Sequence, residues 1–143
     1  MNIKRILLAD DDPNDVELAL TAFAEQGLSH EVVVARDGTE ALDYLYRKGK
    51  FSDRPEGDPV AVLLDLKMPK VDGLEVLRQI KEDPSLQTIP VVILTSSREE
   101  RDLAESYRLG TNAYVVKPVE FEEFIDVVKQ LGMFWTMLNE RPE

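Results

Sequence analysis

The 143-residue chain contains no cysteine, which removes disulfide frameworks, thiolate zinc sites and cysteine nucleophiles from consideration. Its one histidine, His30, has no partner residues around it in sequence, so nothing points to a zinc hydrolase or a Ser-His-Asp enzyme. Positive charge is scarce as well: 17 Lys and Arg face 28 Asp and Glu, a formal net charge of -11. Binders of nucleic-acid backbones or anionic membranes cluster Lys and Arg, so neither nucleic acid nor membrane is expected as a partner. No apolar stretch approaches the roughly 18 residues of a membrane span. The opening MNIKRILLADDD runs into carboxylates rather than a signal-peptide cleavage site, which points to a cytoplasmic protein. No glycine-rich phosphate loop of either common spacing is present. What the chain does have is 43% hydrophobic residues in a length that suits one domain, able to bury roughly two thirds of its unfolded surface.

Short β-branched runs alternate with segments of helical period, the pattern of a parallel sheet covered on both faces. Ile3 to Ala9 is nearly continuous in apolar residues after Arg5, as a doubly buried strand should be, and stops at Asp10, Asp11 and Asp12. Asp12 reads as an N-cap and Pro13 as the first helical residue. Val16, Ala19, Leu20 and Phe23 then recur at helical spacing before Gly27 ends the helix. Val32 to Ala35 reads as a second strand, Asp37-Gly38 as a turn, and Ala41, Tyr44 and Leu45 as the inner stripe of a helix stopped by Gly49. Lys50 to Pro59, KFSDRPEGDP, lacks periodicity and reads as a long exposed loop. Val60 to Leu64 forms a third strand ending in Asp65, followed by the loop KMPKVDG and a helix carrying Leu74, Leu77 and Ile80. Val91 to Leu94 is the fourth strand, after which Ser97 and Glu100 make a capping box for a helix closed by Gly110. Ala113 to Val116 is the fifth, followed by Lys117-Pro118 and a last helix from about Glu120 to Leu138. The expectation is an α/β fold: one domain, residues 1–143, built on an open, doubly wound, five-stranded parallel sheet.

In such a sheet, ligands bind at the C-terminal ends of the strands. The residues there are Asp10, Asp11 and Asp12, then Asp65, then Thr95 and Ser96, then Lys117. Each has an ordinary reading by itself: a cap for Asp12, a solvated charge run for Asp10 and Asp11, a loop cap for Asp65, a strand-end residue for Thr95 and Lys117. As a set they are chemically coherent. Converging carboxylates repel unless a cation neutralises them, and oxygen ligands without His or Cys suit a hard ion such as Mg²⁺. A lysine, a hydroxyl and a divalent metal around one carboxylate are what phosphoryl transfer to that carboxylate requires.

At these residues the chain resembles the response-regulator receiver domain of bacterial two-component signalling. The motifs are ILLADDDPND, VLLDLKMPKVDG, VVILTSS and AYVVKP, in the family's order and spacing, and the likeness runs from Lys4 to about Lys129. The resemblance implies a flavodoxin-like fold with strand order 2-1-3-4-5. It makes Asp65 the phosphoryl acceptor. It gives Mg²⁺ direct ligands in Asp11 and Asp65 and in the backbone carbonyl of Lys67, with Asp10 acting largely through water. Thr95 and Lys117 would contact the phosphoryl oxygens, Pro118 would follow a cis peptide bond, and Tyr114 would be a switch that turns inward when Thr95 moves. Lys67 and Ser97 occupy variable positions that tune dephosphorylation in this family. The implied partners are a sensor histidine kinase and a histidine phosphotransfer protein. Two rival readings are a pseudo-receiver that docks partners without phosphorylation and a Mg²⁺-dependent aspartyl-phosphate hydrolase. The intact strand-end set argues against the first, and the lack of a substrate-specificity cap against the second.

After the last expected helix only about five residues, NERPE, remain, so output is expected through binding rather than an attached effector domain. Phe121, Phe124, Ile125 and Val128 make a core stripe. In the extension from about 130 to 143, Leu131, Met133, Phe134, Trp135, Met137 and Leu138 crowd apolar groups around nearly the whole circumference. That excess predicts a homodimer or partner surface through Leu131, Phe134, Trp135 and Leu138, the alternative being a fold-back onto the same domain. Together with the Lys50 to Pro59 loop and the DDDPND start, its composition also resembles that of the stand-alone regulators paired with bacterial phytochrome histidine kinases. Truncation after Gln130 is expected to lower the sedimenting mass by a subunit; a size indistinguishable from the full chain's would remove the dimer role.

Overall fold

In the computed structural model, residues 5–27, 32–55, 57–95 and 113–116 are described, together with 122, 125, 126 and 129. His30, Ser96, Ser97, Lys117, Pro118, most of the last helix and its apolar set Leu131, Phe134, Trp135 and Leu138 lie outside the described residues. For Thr95 and Tyr114 only the backbone is described.

The apolar runs become strands where the pattern requires them: β1 (Ile6–Ala9), β2 (Val32–Ala35), β3 (Ala61–Asp65), β4 (Val91–Thr95) and β5 (Ala113–Val116). They form one parallel sheet of order β2-β1-β3-β4-β5, the expected doubly wound topology. Every residue of β1 and β3 is buried, because helices cover both faces of these central strands. Alternation then sorts their side chains. Leu7, Ala9, Val62 and Leu64 face one core with Ala41, Leu45, Leu77 and Ile80, and Ile6, Leu8 and Leu63 face the other with Val16, Ala19 and Phe23. Ile125 packs against this second core.

Three helices are fully described: α1 (Pro13–Glu25), α2 (Gly38–Tyr46) and α3 (Gly73–Glu82). Each begins at an aspartate whose carboxylate accepts from backbone N–H groups of the first turn, Asp12 from Asn14 and Asp15, Asp37 from Glu40, and Asp72 from Glu75. Asp12 and Pro13 thus do what their sequence says. Ala22 rather than Leu20 completes the fully buried stripe of α1; Leu20 is half-buried at its edge.

The segment after β2 departs from expectation twice. Asp37-Gly38 is not a free-standing turn but the N-cap and first residue of α2. At its other end, α2 stops at Tyr46, with Arg47 in a left-handed C-cap (φ 57), before the glycine expected to end it. The reason is tertiary. The Arg54 guanidinium reaches back to the helix end, donating from Nε to the Tyr44 carbonyl (2.6 Å) and from Nη2 to that of Leu45 (3.4 Å). Its Nη1 donates to Pro55 and Gly57 (2.8 and 2.9 Å), and its plane lies 4.3 Å over the Tyr44 ring. Gly49–Phe51 forms a 3₁₀ turn that sets the Phe51 ring edge-on to Tyr44 at 5.2 Å. Most described residues of the 50–59 stretch are exposed, as expected, but Phe51 and Arg54 staple it to α2, and Pro59 at its end is buried. Burial raises the Tyr44 hydroxyl above the ordinary tyrosine pKa, with Arg54 opposing the shift. Arg54→Leu removes the guanidinium donors from the Tyr44, Leu45, Pro55 and Gly57 carbonyls and is expected to lower unfolding stability by about 1–3 kcal/mol in urea titration.

Candidate functional site

Three consecutive aspartates follow β1, and the fold gives each a different place. Asp10 continues the strand, its N–H donating to the Ala35 carbonyl at 3.0 Å, so its side chain is buried, 1% exposed. One oxygen of Asp10 accepts from the Asp12 N–H at 3.0 Å, which bends the chain toward α1. Asp11 is exposed at the rim, and Asp12 is spent as the α1 cap.

Asp65 is the last residue of β3 and is 5% exposed. Its Oδ1 accepts from the Lys67 N–H at 3.1 Å, which holds the rotation of the carboxylate. The β1–β3 register pairs Ala9 with Leu64, so Asp10 and Asp65 emerge side by side. Carboxylate oxygens of Asp10, Asp11 and Asp65 lie within 4.8 Å of one another. At that separation each ionised pair repels by about 3–4 kcal/mol for an effective dielectric of about 20. An all-oxygen, strongly anionic set of this kind fits a hard divalent cation and gives no soft ligand for zinc or copper.

The neighbouring strands bring further expected residues to the same rim. Leu94 pairs with Asp65, so Thr95 stands one residue beyond the partner of Asp65, and Thr95 in turn pairs with Val116 at the end of β5. Tyr114 pairs with Ile93 along the backbone of β5. Beyond Asp65, Lys67 is exposed and, with Leu66, Met68, Asp72 and Leu74, lines a cleft of about 330 Å³ on the loop before α3.

Residues that sequence reasoning passed over support this loop. At Gly73 a Cβ would stand 2.2 Å from the Asp65 carbonyl oxygen, so only glycine lets α3 start directly against the end of β3. Its N–H donates to Leu66 at 2.7 Å. Asp37 is buried, 7% exposed, and pairs with Lys70 of the loop at 3.5 Å. The glycine in KMPKVDG was a legible signal for a close approach; the Asp37–Lys70 pair joins residues far apart in sequence and has no local signature.

A cation held by the folded carboxylates stabilises the fold by mass action, about 2.7 kcal/mol at a concentration 100 times its dissociation constant. Mg²⁺ is therefore expected to raise the melting temperature, and Asp10→Asn to remove most of that rise. In EDTA the same variant should melt no lower than the parent, because one repelling charge is gone. An undiminished Mg²⁺ response in Asp10→Asn would contradict this account of the cluster.

Comparison with known proteins adds an independent line. The model of the response regulator receiver domain matches residues 6–129. Response regulator Rcp1 of Synechocystis sp. (strain ATCC 27184 / PCC 6803 / Kazusa) is 38% identical over 132 residues, 92% of this chain and 88% of the relative. The structure of its Mn²⁺-bound form superposes with a TM-score of 0.80 at 38% identity, over 92% of this chain and 94% of that one. The bacteriophytochrome response regulator AtBRR is 60% identical with a TM-score of 0.79, covering 94% and 96% of the two chains. The phosphorylated cyanobacterial phytochrome response regulator RcpA is 41% identical with a TM-score of 0.81, covering 94% and 95%. With its parallel five-stranded sheet, its acidic rim and this likeness over most of its length, the chain belongs to the response regulator receiver domain family.

Proposed function

We propose that this protein receives a phosphoryl group on Asp65 from a sensor histidine kinase, in a Mg²⁺-dependent step, and signals by changing its protein contacts. The observation that carries this is the meeting of Asp10, Asp11 and Asp65 at the C-terminal rim of the sheet. Asp11, Asp65 and the Lys67 carbonyl would hold the ion, with Asp10 acting through water. When bound, Mg²⁺ supplies neutralisation of charge on the phosphoryl oxygens.

In the transfer, an Asp65 carboxylate oxygen attacks the phosphorus of the kinase's phosphohistidine. The P–N bond breaks, a P–O bond to Asp65 forms, and the imidazole nitrogen leaves with its electron pair. In the separate dephosphorylation step, water attacks the same phosphorus, the aspartyl P–O bond breaks, and inorganic phosphate carries away the water oxygen and proton while the carboxylate is restored. The Lys67 N–H orients Asp65 for both steps. Thr95 and Lys117 donate to the phosphoryl oxygens. Chemistry is confined to the protein's own aspartate; no separate substrate is turned over.

Phosphorylation adds about −1.5 to −2 charges and three acceptor oxygens, enough to draw Thr95 and Lys117 inward and bias a two-state loop read by Tyr114. The names of AtBRR and RcpA, both phytochrome response regulators, support a phytochrome-type kinase as the donor here. A histidine phosphotransfer protein is a second recipient, and homodimerisation through Leu131, Phe134, Trp135 and Leu138 the association that phosphorylation alters. The protein works in the cytoplasm; among the described residues no helix is long and apolar enough to cross a membrane.

Incubation with Mg²⁺ and acetyl phosphate, read by intact-mass spectrometry, is expected to give one phosphoryl adduct in the parent and none in Asp65→Asn. Absence of an adduct in the parent would favour a phosphorylation-independent docking module. Steady phosphate release without an adduct would favour a hydrolase.

A further inference from the structure

Between Asp65 and α3 the chain makes a seven-residue excursion, 66–72, whose path decides where the Lys67 carbonyl lies. Its ends are held by Gly73, packed against Asp65 and Leu66. Its middle is held by something outside the site. At Gly38, the first residue of α2, a Cβ would stand 1.8 Å from the Val71 carbonyl oxygen and 2.6 Å from its carbon, so the two backbones are in direct contact. Beside that contact, Lys70 has a left-handed backbone (φ 69), a conformation unfavourable for a lysine. Strain of this kind persists only where the surroundings over-determine it. Here they do: the Lys70 ammonium sits 3.5 Å from Oδ2 of Asp37, whose side chain is 10% exposed. Oδ1 of Asp37 accepts from the Glu40 N–H at 2.8 Å, so Asp37 is anchored to α2 while its second oxygen faces the loop.

We propose that the amino end of α2 is a clamp on the acceptor loop, with Asp37 and Lys70 as positioning residues that, together with the Gly38–Val71 contact, set the Lys67 carbonyl and thereby the divalent-cation affinity of the carboxylate cluster. The clamp rests on the reading of Asp10, Asp11 and Asp65 as a cation site. It differs from a simple field effect in sign. Removing the Lys70 charge beside an anionic site would, by Coulomb attraction alone, tighten cation binding; loosening the loop weakens it.

The test uses the full chain and two readouts: Mn²⁺ affinity by isothermal titration calorimetry, and hydrogen exchange of the Lys67 amide without metal. Lys70→Met is expected to weaken Mn²⁺ binding about 2- to 5-fold, the range that a largely exposed ion pair can command, and to speed Lys67 exchange by a similar factor. Lys70→Arg should restore both. Asp37→Asn, which keeps a good N-cap, should act in the same direction, and combining it with Lys70→Met should add nothing further. Mn²⁺ binding that is unchanged or tighter in Lys70→Met, with the parent binding normally, overturns the clamp alone. No Mn²⁺ binding by the parent overturns the cation-site reading and the clamp with it.

Discussion

Parallel pairing of β1 with β3 through the middle of the sheet is the constraint on which the rest of this molecule depends. Ile6 to Ala9 lie against Ala61 to Leu64 in register, and all of them are buried. The next residue on each strand is an aspartate, so the register itself delivers two carboxylates to one rim. A slip of one residue would exchange the residues that each strand gives to the two cores and would displace the aspartate that follows. The opposing terms are clear in size. Each fully buried Leu or Ile in these strands contributes roughly 1.5–3 kcal/mol, against a few kcal/mol of repulsion for each pair of nearby carboxylates. The sheet can hold an arrangement that the site by itself would reject.

That imbalance explains why the anionic rim sits where it does. Carboxylates placed along the strands would be desolvated without compensation. At the strand ends they meet backbone N–H groups, from Asp12 to Asp10 and from Lys67 to Asp65, and open toward a side from which a cation can come. The same chemistry recurs at the helix starts, where Asp12, Asp37 and Asp72 serve N–H groups instead. For these described aspartates, position relative to the strand or helix end decides which groups the carboxylate meets.

Much of this was legible in the residues. The five apolar runs, the Asp12-Pro13 helix start and the strand-end positions of Asp10, Asp11 and Asp65 follow from patterns local to each segment. Local pattern failed where long-range contacts decide. At the end of α2, Arg54, eight residues past Tyr46, adds guanidinium donors to the Tyr44 and Leu45 carbonyls beside the local cap at Arg47. Ala22 is more deeply buried than Leu20 because the stripe of α1 is aimed by the sheet beneath it, not by hydrophobicity alone. Gly38 looked like a turn residue, yet it is small because a neighbouring backbone occupies the space of its side chain.

By itself the sequence determined which residues are strands, which aspartates end them, and, from four motifs in order, the family to which they belong. Those are properties of short windows, written in periodicity and in the residue types that chemistry requires. Only the tertiary structure decided that the carboxylates of Asp10, Asp11 and Asp65 meet within 4.8 Å, and that α2 reaches the loop after Asp65 through Asp37, Gly38 and Lys70. Distances between strands and contacts between loops depend on register and on how helices settle on the sheet, and no single stretch of the chain carries that information.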